Sequence, residues 1–135
     1  MDELLRSKPD IPKPIFLSLD TQGSELNIPK GAKETVNDAV AVLVEIEFLP
    51  IYENRPLFVE ISEYLNLVGF TCLDISKGVQ TTNSKGPVGV RAKGSLSWEN
   101  ALFFKNPDNV ERSTLAFCAL VFGYSDFARE CFPIE

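Results

Sequence analysis

The sequence predicts an α/β domain in which a largely parallel sheet has helices on both faces. Apolar segments with the length and β-branched content of buried strands alternate with helical patterns along the chain. The order of strands and helices is that of repeated strand–helix–strand units, which form parallel sheets. The 135 residues, 44% hydrophobic and 24% charged, suffice for one globular domain.

The first half of the chain begins with an expected extended lead-in over residues 1–14, where three prolines stand among charged side chains. Residues 15–19 are apolar and predict a short buried strand that ends at Asp20. Ser24 is a suitable N-cap for a helix over residues 25–36, but Pro29 predicts that this helix is short or broken. A continuous β-branched segment predicts the best strand of the chain over residues 40–48.

The second half of the chain continues the alternation of predicted helices and strands. Pro56 opens a helix with one apolar face, and Gly69 supplies its stop signal. Strands are predicted over residues 70–75 and 100–104, separated by a long Gly-, Ser- and Thr-rich loop. Because no crossover helix is evident between these two strands, they are expected to be antiparallel neighbours at one edge. Two helices are expected after Asn109.

Composition excludes several classes of function. The net charge of -6 disfavours nucleic acid and anionic membranes as partners. The chain has no histidine, which excludes Ser–His and Cys–His nucleophile pairs. Its three cysteines form no C-x-x-C pair, so neither a zinc site nor a disulfide framework is indicated. No segment approaches the roughly 20 apolar residues of a membrane span, and no signal-peptide pattern is present, so we expect a cytoplasmic protein.

Candidate functional residues follow the predicted strands, where open α/β sheets bind ligands. Asp20 and Glu25 flank a turn at a helix start, and they either contact a ligand or only complement the helix dipole. Glu45 and Glu47 share one face of an apolar strand and must reach solvent, a cation or a polar site. With Asp20, the same two residues could alternatively hold magnesium or calcium.

The loop over residues 49–55 places Tyr52 and Arg55 where a substrate would lie, although its side chains could equally serve packing. Trp98 could stack on a ligand or be a partly buried structural residue. The sequence has no G-x-G-x-x-G or Walker phosphate-binding motif.

Taken in order, these segments resemble the C-terminal half of FkbM-type methyltransferases. Asp20-Thr21-Gln22-Gly23-Ser24-Glu25 resembles the family turn D-x-Q/E-G-x-E and is followed by a K-G-A segment at residues 30–32. The resemblance continues through residues 44–52, the helix start at 56–58, residues 69–75 and residues 99–104. Ser18 and Pro29 depart from the pattern, since a lysine and a helix-favouring apolar residue are common at these positions.

The resemblance implies a Rossmann-like seven-stranded sheet of which this chain holds strands four to seven, the last inserted antiparallel between the fifth and sixth. Residues 15–106 would then be a partial domain that lacks the cofactor-binding half, and residues 107–135 a C-terminal helical extension. The implied activity is methyl transfer from S-adenosylmethionine to the hydroxyl of a small molecule or glycan. The cofactor-binding loop would lie outside this chain.

The same resemblance implies roles for individual residues. Asp20 would be the catalytic base. The acceptor would be bound by five residues, namely Gln22, Gly23, Glu25, Glu47 and Tyr52. The alternative function is a non-catalytic interaction module that pairs through its exposed first strand, and the expected partners are a second copy or a complementing N-terminal half.

Overall fold

The computed structural model of the chain describes residues 1–76 and 96–132, so most of the predicted loop between the last two strands lies outside the described residues. The strands are β1 (Phe16–Leu19), β2 (Ala41–Glu47), β3 (Phe70–Ile75) and β4 (Trp98–Lys105). The helices are α1 (Asp2–Ser7), α2 (Asn27–Gly31), α3 (Lys33–Asp38), α4 (Phe58–Leu67), α5 (Arg112–Val121) and α6 (Ser125–Glu130), with a short 3-10 turn at Pro107–Asn109.

The four strands form one mixed sheet in the order β1-β2-β4-β3. β1 and β2 are parallel, whereas β4 is antiparallel to both β2 and β3. The last strand is therefore inserted between the two strands that precede it, as the family resemblance implies, and the antiparallel pairing of β3 and β4 is confirmed. The two strands were expected together at one edge, and this is only partly so. Of the two, β3 lies at the edge of the described sheet, whereas β4 lies inside it.

Helices cover both faces of the sheet, and each face has its own hydrophobic core. One core joins α3 and α4 to the face that carries Val42, Val44 and Phe103. The other joins α5 and α6 to the opposite face around Ala41 and Phe104. The mixed α/β architecture with helices on both sides is thus confirmed.

The helix predicted over residues 25–36 is broken into α2 and α3, but the break does not fall at Pro29. Pro29 lies in the first turn of α2, where a backbone N–H has no intrahelical partner, so proline is tolerated there. The chain breaks at Ala32, which has φ -123° and ψ 48°. Ser24 is not the N-cap, since Leu26 occupies that position without a side-chain cap.

The prediction of an extended lead-in over residues 1–14 is partly wrong, because Asp2–Ser7 forms a helix. All three prolines follow this helix, so none interrupts it. The Asp2 carboxylate accepts hydrogen bonds from the backbone N–H groups of Glu34 and Thr35, both at 3.0 Å, at the start of α3. This long-range cap fixes α1 against α3.

A buried lysine joins β4 to the end of α3. Lys105 is 2% exposed. Its Nζ donates to the carbonyl oxygens of Val36 at 3.2 Å and Asn37 at 2.8 Å, and it lies 4.7 Å from the centre of the Phe70 ring. The cation therefore stabilises the carbonyl end of a helix, where positive charge is favoured.

The longest described helices, α4 and α5, have ten residues each. Gly69 follows α4 with φ +89°, a conformation that favours glycine and confirms the predicted stop. Within residues 1–76 and 96–132, no helix has the length and apolar content needed to cross a membrane.

Candidate functional site

A cavity of about 630 Å³ lies at the carboxyl ends of β1 and β2. Glu45 and Glu47 lie on the same face of β2 as Ala41, because side chains alternate along a strand. α5 and α6 cover this face near Ala41, which lies at the other end of β2. The lining residues are Gln22, Glu45, Glu47, Leu49, Pro50, Ile51, Tyr52, Arg55, Ser97 and Trp98.

The turn after β1 is organised by Glu25. Its carboxylate accepts hydrogen bonds from the backbone N–H of Thr21 at 3.0 Å, from the Thr21 hydroxyl at 3.1 Å and from the backbone N–H of Gly23 at 2.9 Å. Burial acts to raise the pKa of Glu25, but the backbone N–H groups outweigh it, and the pKa lies below its ordinary value. Glu25 is 4% exposed and does not line the cavity.

Gln22 and Gly23 both adopt left-handed backbone conformations, with φ of 56° and 118°. For Gln22 this conformation is uncommon and costs free energy, so the surrounding structure must hold it. The strained turn places the Gln22 side chain in the cavity, where its Nε2 donates to Asp20 Oδ1 at 3.2 Å and to Glu45 Oε2 at 3.3 Å.

Arg55 links the end of β2 to the turn after β1 through two hydrogen bonds. Its Nη1 donates to Glu47 Oε1 at 3.0 Å and its Nη2 to Gln22 Oε1 at 3.1 Å. The guanidinium also lies 4.2 Å from the centre of the Tyr52 ring, a cation–π contact. The side chains of Arg55 and Glu47 are only 14% and 6% exposed, so this ion pair is largely desolvated.

The surroundings of Glu45 disfavour the ionised form of its carboxylate. Burial raises its pKa, and the nearby charges of Asp20, Glu25 and Glu47 raise it further, while Arg55 acts in the opposite direction. A hydrogen-bond donor from a ligand would therefore find a strong acceptor here.

The predicted site residues fall into two groups. Gln22, Glu47 and Tyr52 all line the cavity, and Asp20 is hydrogen-bonded to Gln22. Gly23 and Glu25 do not line it and instead form the supporting turn.

The sequence placed Arg55 in a loop where a substrate would lie, or where its side chain could equally serve packing, but the resemblance gave it no role in the site. Trp98 does line the cavity and is 37% exposed. The metal alternative is not supported, because no group of His, Cys, Asp and Glu side chains in the described part of the chain could hold a metal ion.

Comparison with known proteins gives one match. The Methyltransferase FkbM domain matches residues 1–72, a segment that includes the turn after β1, all of β2 and the loop that carries Tyr52 and Arg55. Searches of curated proteins and of solved structures found no match. Eight of the ten residues that line the cavity lie within the matched segment, and Ser97 and Trp98 lie outside it. The chain belongs to the FkbM methyltransferase family.

Proposed function

We propose that the cavity is the acceptor side of an S-adenosylmethionine-dependent O-methyltransferase, and that this chain corresponds to the C-terminal half of the catalytic domain. The observation that carries the proposal is the convergence of Gln22, Glu47 and Tyr52 on one cavity, with Asp20 bonded to Gln22. These side chains come from different parts of the family-matched segment. Convergent polar groups in a concave site are the usual arrangement for binding a small molecule.

In this proposal, Asp20 is the general base. Its carboxylate is exposed at the end of β1 and would accept the proton of the acceptor hydroxyl. Gln22, Glu47 and Tyr52 orient the acceptor, which raises the rate by proximity. Gly23 and Glu25 act indirectly, by holding the turn that presents Asp20 and Gln22.

The charge of the cavity limits the acceptor. Glu45 and Glu47 line the cavity and Asp20 lies beside it, bonded to Gln22, while both terminal nitrogens of Arg55 already donate to groups of the protein. Among the described residues that line the cavity Arg55 is the one cation, so an anionic acceptor would meet net repulsion from the carboxylates. We therefore expect a neutral or cationic hydroxyl compound, such as a sugar, and not one that carries a phosphate or a free carboxylate.

FkbM methyltransferases generally use S-adenosylmethionine, which supplies the methyl group. The residues of this chain do not fit that cofactor. The sequence contains no E-x-G-x-x-x-G turn, and the Gly23 N–H, which follows the first strand, is occupied by Glu25. The cofactor site is thus assigned to another part of the domain, and this chain contributes acceptor binding and proton removal.

A nuclear magnetic resonance titration tests the acceptor side directly. The isotopically labelled chain is titrated with methyl glucoside and, as the matched anionic probe, glucose 6-phosphate. We expect shifts at Gln22, Tyr52 and Trp98 with the glucoside and weaker ones with the phosphate. Shifts confined to other surfaces, or none with any neutral hydroxyl compound, would contradict the proposal.

The role of Asp20 is tested by Asp20→Asn at the matching position of a full-length member of the family. General-base catalysis typically contributes 10²- to 10⁴-fold, so we expect kcat to fall by about that factor. Asp38→Asn at its matching position in the same full-length protein is the control, since Asp38 pairs with Lys13 away from the cavity. Unchanged turnover of the Asp20 variant would remove Asp20 from the mechanism.

The alternative of an interaction module has one observation in its favour. Among the described strands, β1 pairs only with β2, so its outer edge offers unpaired backbone groups. Ile15, which precedes this strand, is 44% exposed. Sedimentation velocity across a concentration series tests this alternative: a concentration-dependent dimer supports it, and a monomer at all concentrations argues against it.

A further inference from the structure

We infer that Arg55 is the positioning residue of the cavity: its guanidinium fixes the Gln22 amide so that the NH2 group faces Asp20 and Glu45. Neither the family match nor the predicted site residues assign this role. The inference deepens the proposed function and rests on it only where Asp20 is taken as the base.

The hydrogen bonds of Gln22 admit one amide orientation. A guanidinium can only donate, and ionised carboxylates can only accept. Gln22 Oε1 therefore faces Arg55 Nη2 at 3.1 Å, and Nε2 faces Asp20 at 3.2 Å and Glu45 at 3.3 Å. A flipped amide would direct its oxygen at both carboxylates and its NH2 group at the guanidinium. The three partners together thus determine the orientation.

Arg55 is itself held from several sides. Glu47 binds Nη1 at 3.0 Å and is held in turn by the backbone N–H of Ile51 at 3.3 Å. The Tyr52 ring lies against the guanidinium, and a Cβ added at Gly23 would approach Cγ and Nε of Arg55 at 3.4 Å. Arg55 thus packs at van der Waals distance against the Gly23 backbone. Arg55 can therefore impose its geometry on Gln22.

The orientation of the amide has a consequence for the two acids that it bridges. The charged groups that act on Glu45 are Asp20, Glu25, Glu47 and Arg55, and Arg55 alone lowers the pKa of Glu45. The Gln22 NH2 group donates to both Asp20 and Glu45. If the amide is not held in this orientation, each of the two carboxylates loses a donor that fixes its position.

Two substitutions separate the geometry of Arg55 from its charge. Arg55→Met removes both, whereas Arg55→Lys keeps the charge but cannot donate to Glu47 and Gln22 with a planar fork. Two quantities are measured by nuclear magnetic resonance in the isolated chain. They are the cross-relaxation contacts of the Gln22 side-chain NH2 group and the pH titration of the Glu45 carboxyl carbon.

We expect one ordered Gln22 amide in the wild-type chain and an averaged amide in both variants. The Glu45 pKa should rise in Arg55→Met and stay near the wild-type value in Arg55→Lys. An ordered amide in Arg55→Lys would overturn the inference, because charge alone would then explain the role of Arg55. An unchanged amide in Arg55→Met would overturn it as well.

Arg6→Met is the matched control, since it removes an exposed pair with Glu34 far from the cavity and should change neither quantity. If Arg55→Met does not fold, Glu47→Gln supplies the second variant, because it weakens the hold on Arg55 and should also loosen the Gln22 amide. Neither readout involves methyl transfer or acceptor binding. Failure of this inference is therefore distinguishable from failure of the proposed function, which the glucoside titration tests.

Discussion

Two cations with little solvent exposure, Lys105 and Arg55, lie at opposite ends of the sheet and differ in the groups that accept their hydrogen bonds. Lys105 donates to two backbone carbonyl oxygens at the end of α3, so its partners are fixed by the helix itself. Arg55 donates to the side chains of Glu47 and Gln22, which also line a cavity. The first arrangement ties the ammonium group to the backbone and stabilises the fold. The second holds side chains that a ligand can reach.

Burial and charge alone therefore do not identify a functional residue. The groups that accept its hydrogen bonds must be known as well. Lys105 also borders a cavity, of about 720 Å³, which is larger than the one at Arg55. Burial lowers the pKa of Lys105, as expected for a cation removed from water. We nevertheless assign Lys105 a structural role, because its Nζ donates to the backbone carbonyl oxygens of Val36 and Asn37.

The largest effect is expected for Lys105→Met, which preserves much of the buried chain but leaves two carbonyl oxygens without their donor. Hydrogen bonds to charged groups contribute about 1.5–3 kcal/mol, so we expect the free energy of unfolding to fall by ~2 kcal/mol. Urea denaturation measures this loss. Lys30→Met is the control. Lys30 is exposed, and its Nζ lies as far as 5.8 Å from the centre of the Tyr64 ring, so little stability should be lost. Equal losses in both variants would contradict the structural role of Lys105.

A smaller effect with a distinct pH dependence is expected for Glu25→Gln. The amide would direct a donor at the Gly23 N–H, and we expect a loss of about 1 kcal/mol near neutral pH. Because folding lowers the pKa of Glu25, its ionised form stabilises the protein above the unfolded-state pKa, and this stabilisation is lost as pH falls through the folded-state pKa.

The difference in stability between wild type and Glu25→Gln should accordingly shrink below about pH 4.5, the usual range of a glutamate. Urea unfolding at a series of acidic pH values measures it, with Glu63→Gln, an exposed position on α4, as the control. A difference that stays constant with pH would show that the Glu25 charge is not what holds the turn.

The smallest effect is expected for Tyr52→Leu. Tyr52 is 56% exposed, and cation–π contacts at exposed sites contribute about 0.5–1 kcal/mol. We expect a loss of stability of ~0.5 kcal/mol by urea denaturation, together with weaker binding of methyl glucoside in the resonance titration. Tyr52→Phe is the matched control, because it keeps the ring over Arg55. A stability loss as large as that of Lys105→Met would remove the distinction between the two cations.

Helices, strands and site residues could be predicted from the sequence where neighbouring residues determine them. Contacts between residues far apart in the chain could not. The apolar segment that forms β2 and the rule that ligands bind at strand ends indicated Glu47 and the loop that carries Tyr52, whereas the family resemblance implied that Gln22, Glu47 and Tyr52 share one cleft. Arg55 was not assigned because its role depends on Gln22, 33 positions away. The helix at the N-terminus was missed for a similar reason, since Asp2 caps a helix more than 30 residues later.

The position of β4 has a consequence for how the protein folds during synthesis. β4 lies between β2 and β3, although it is the last strand along the chain, so neither neighbour has its full set of partners until residue 105 has been made. Pairing over such sequence distances is slow, and incomplete sheets expose edges that aggregate. Completion of β4 is thus the step that closes the sheet, and a nascent chain that stalls before it should depend on chaperones.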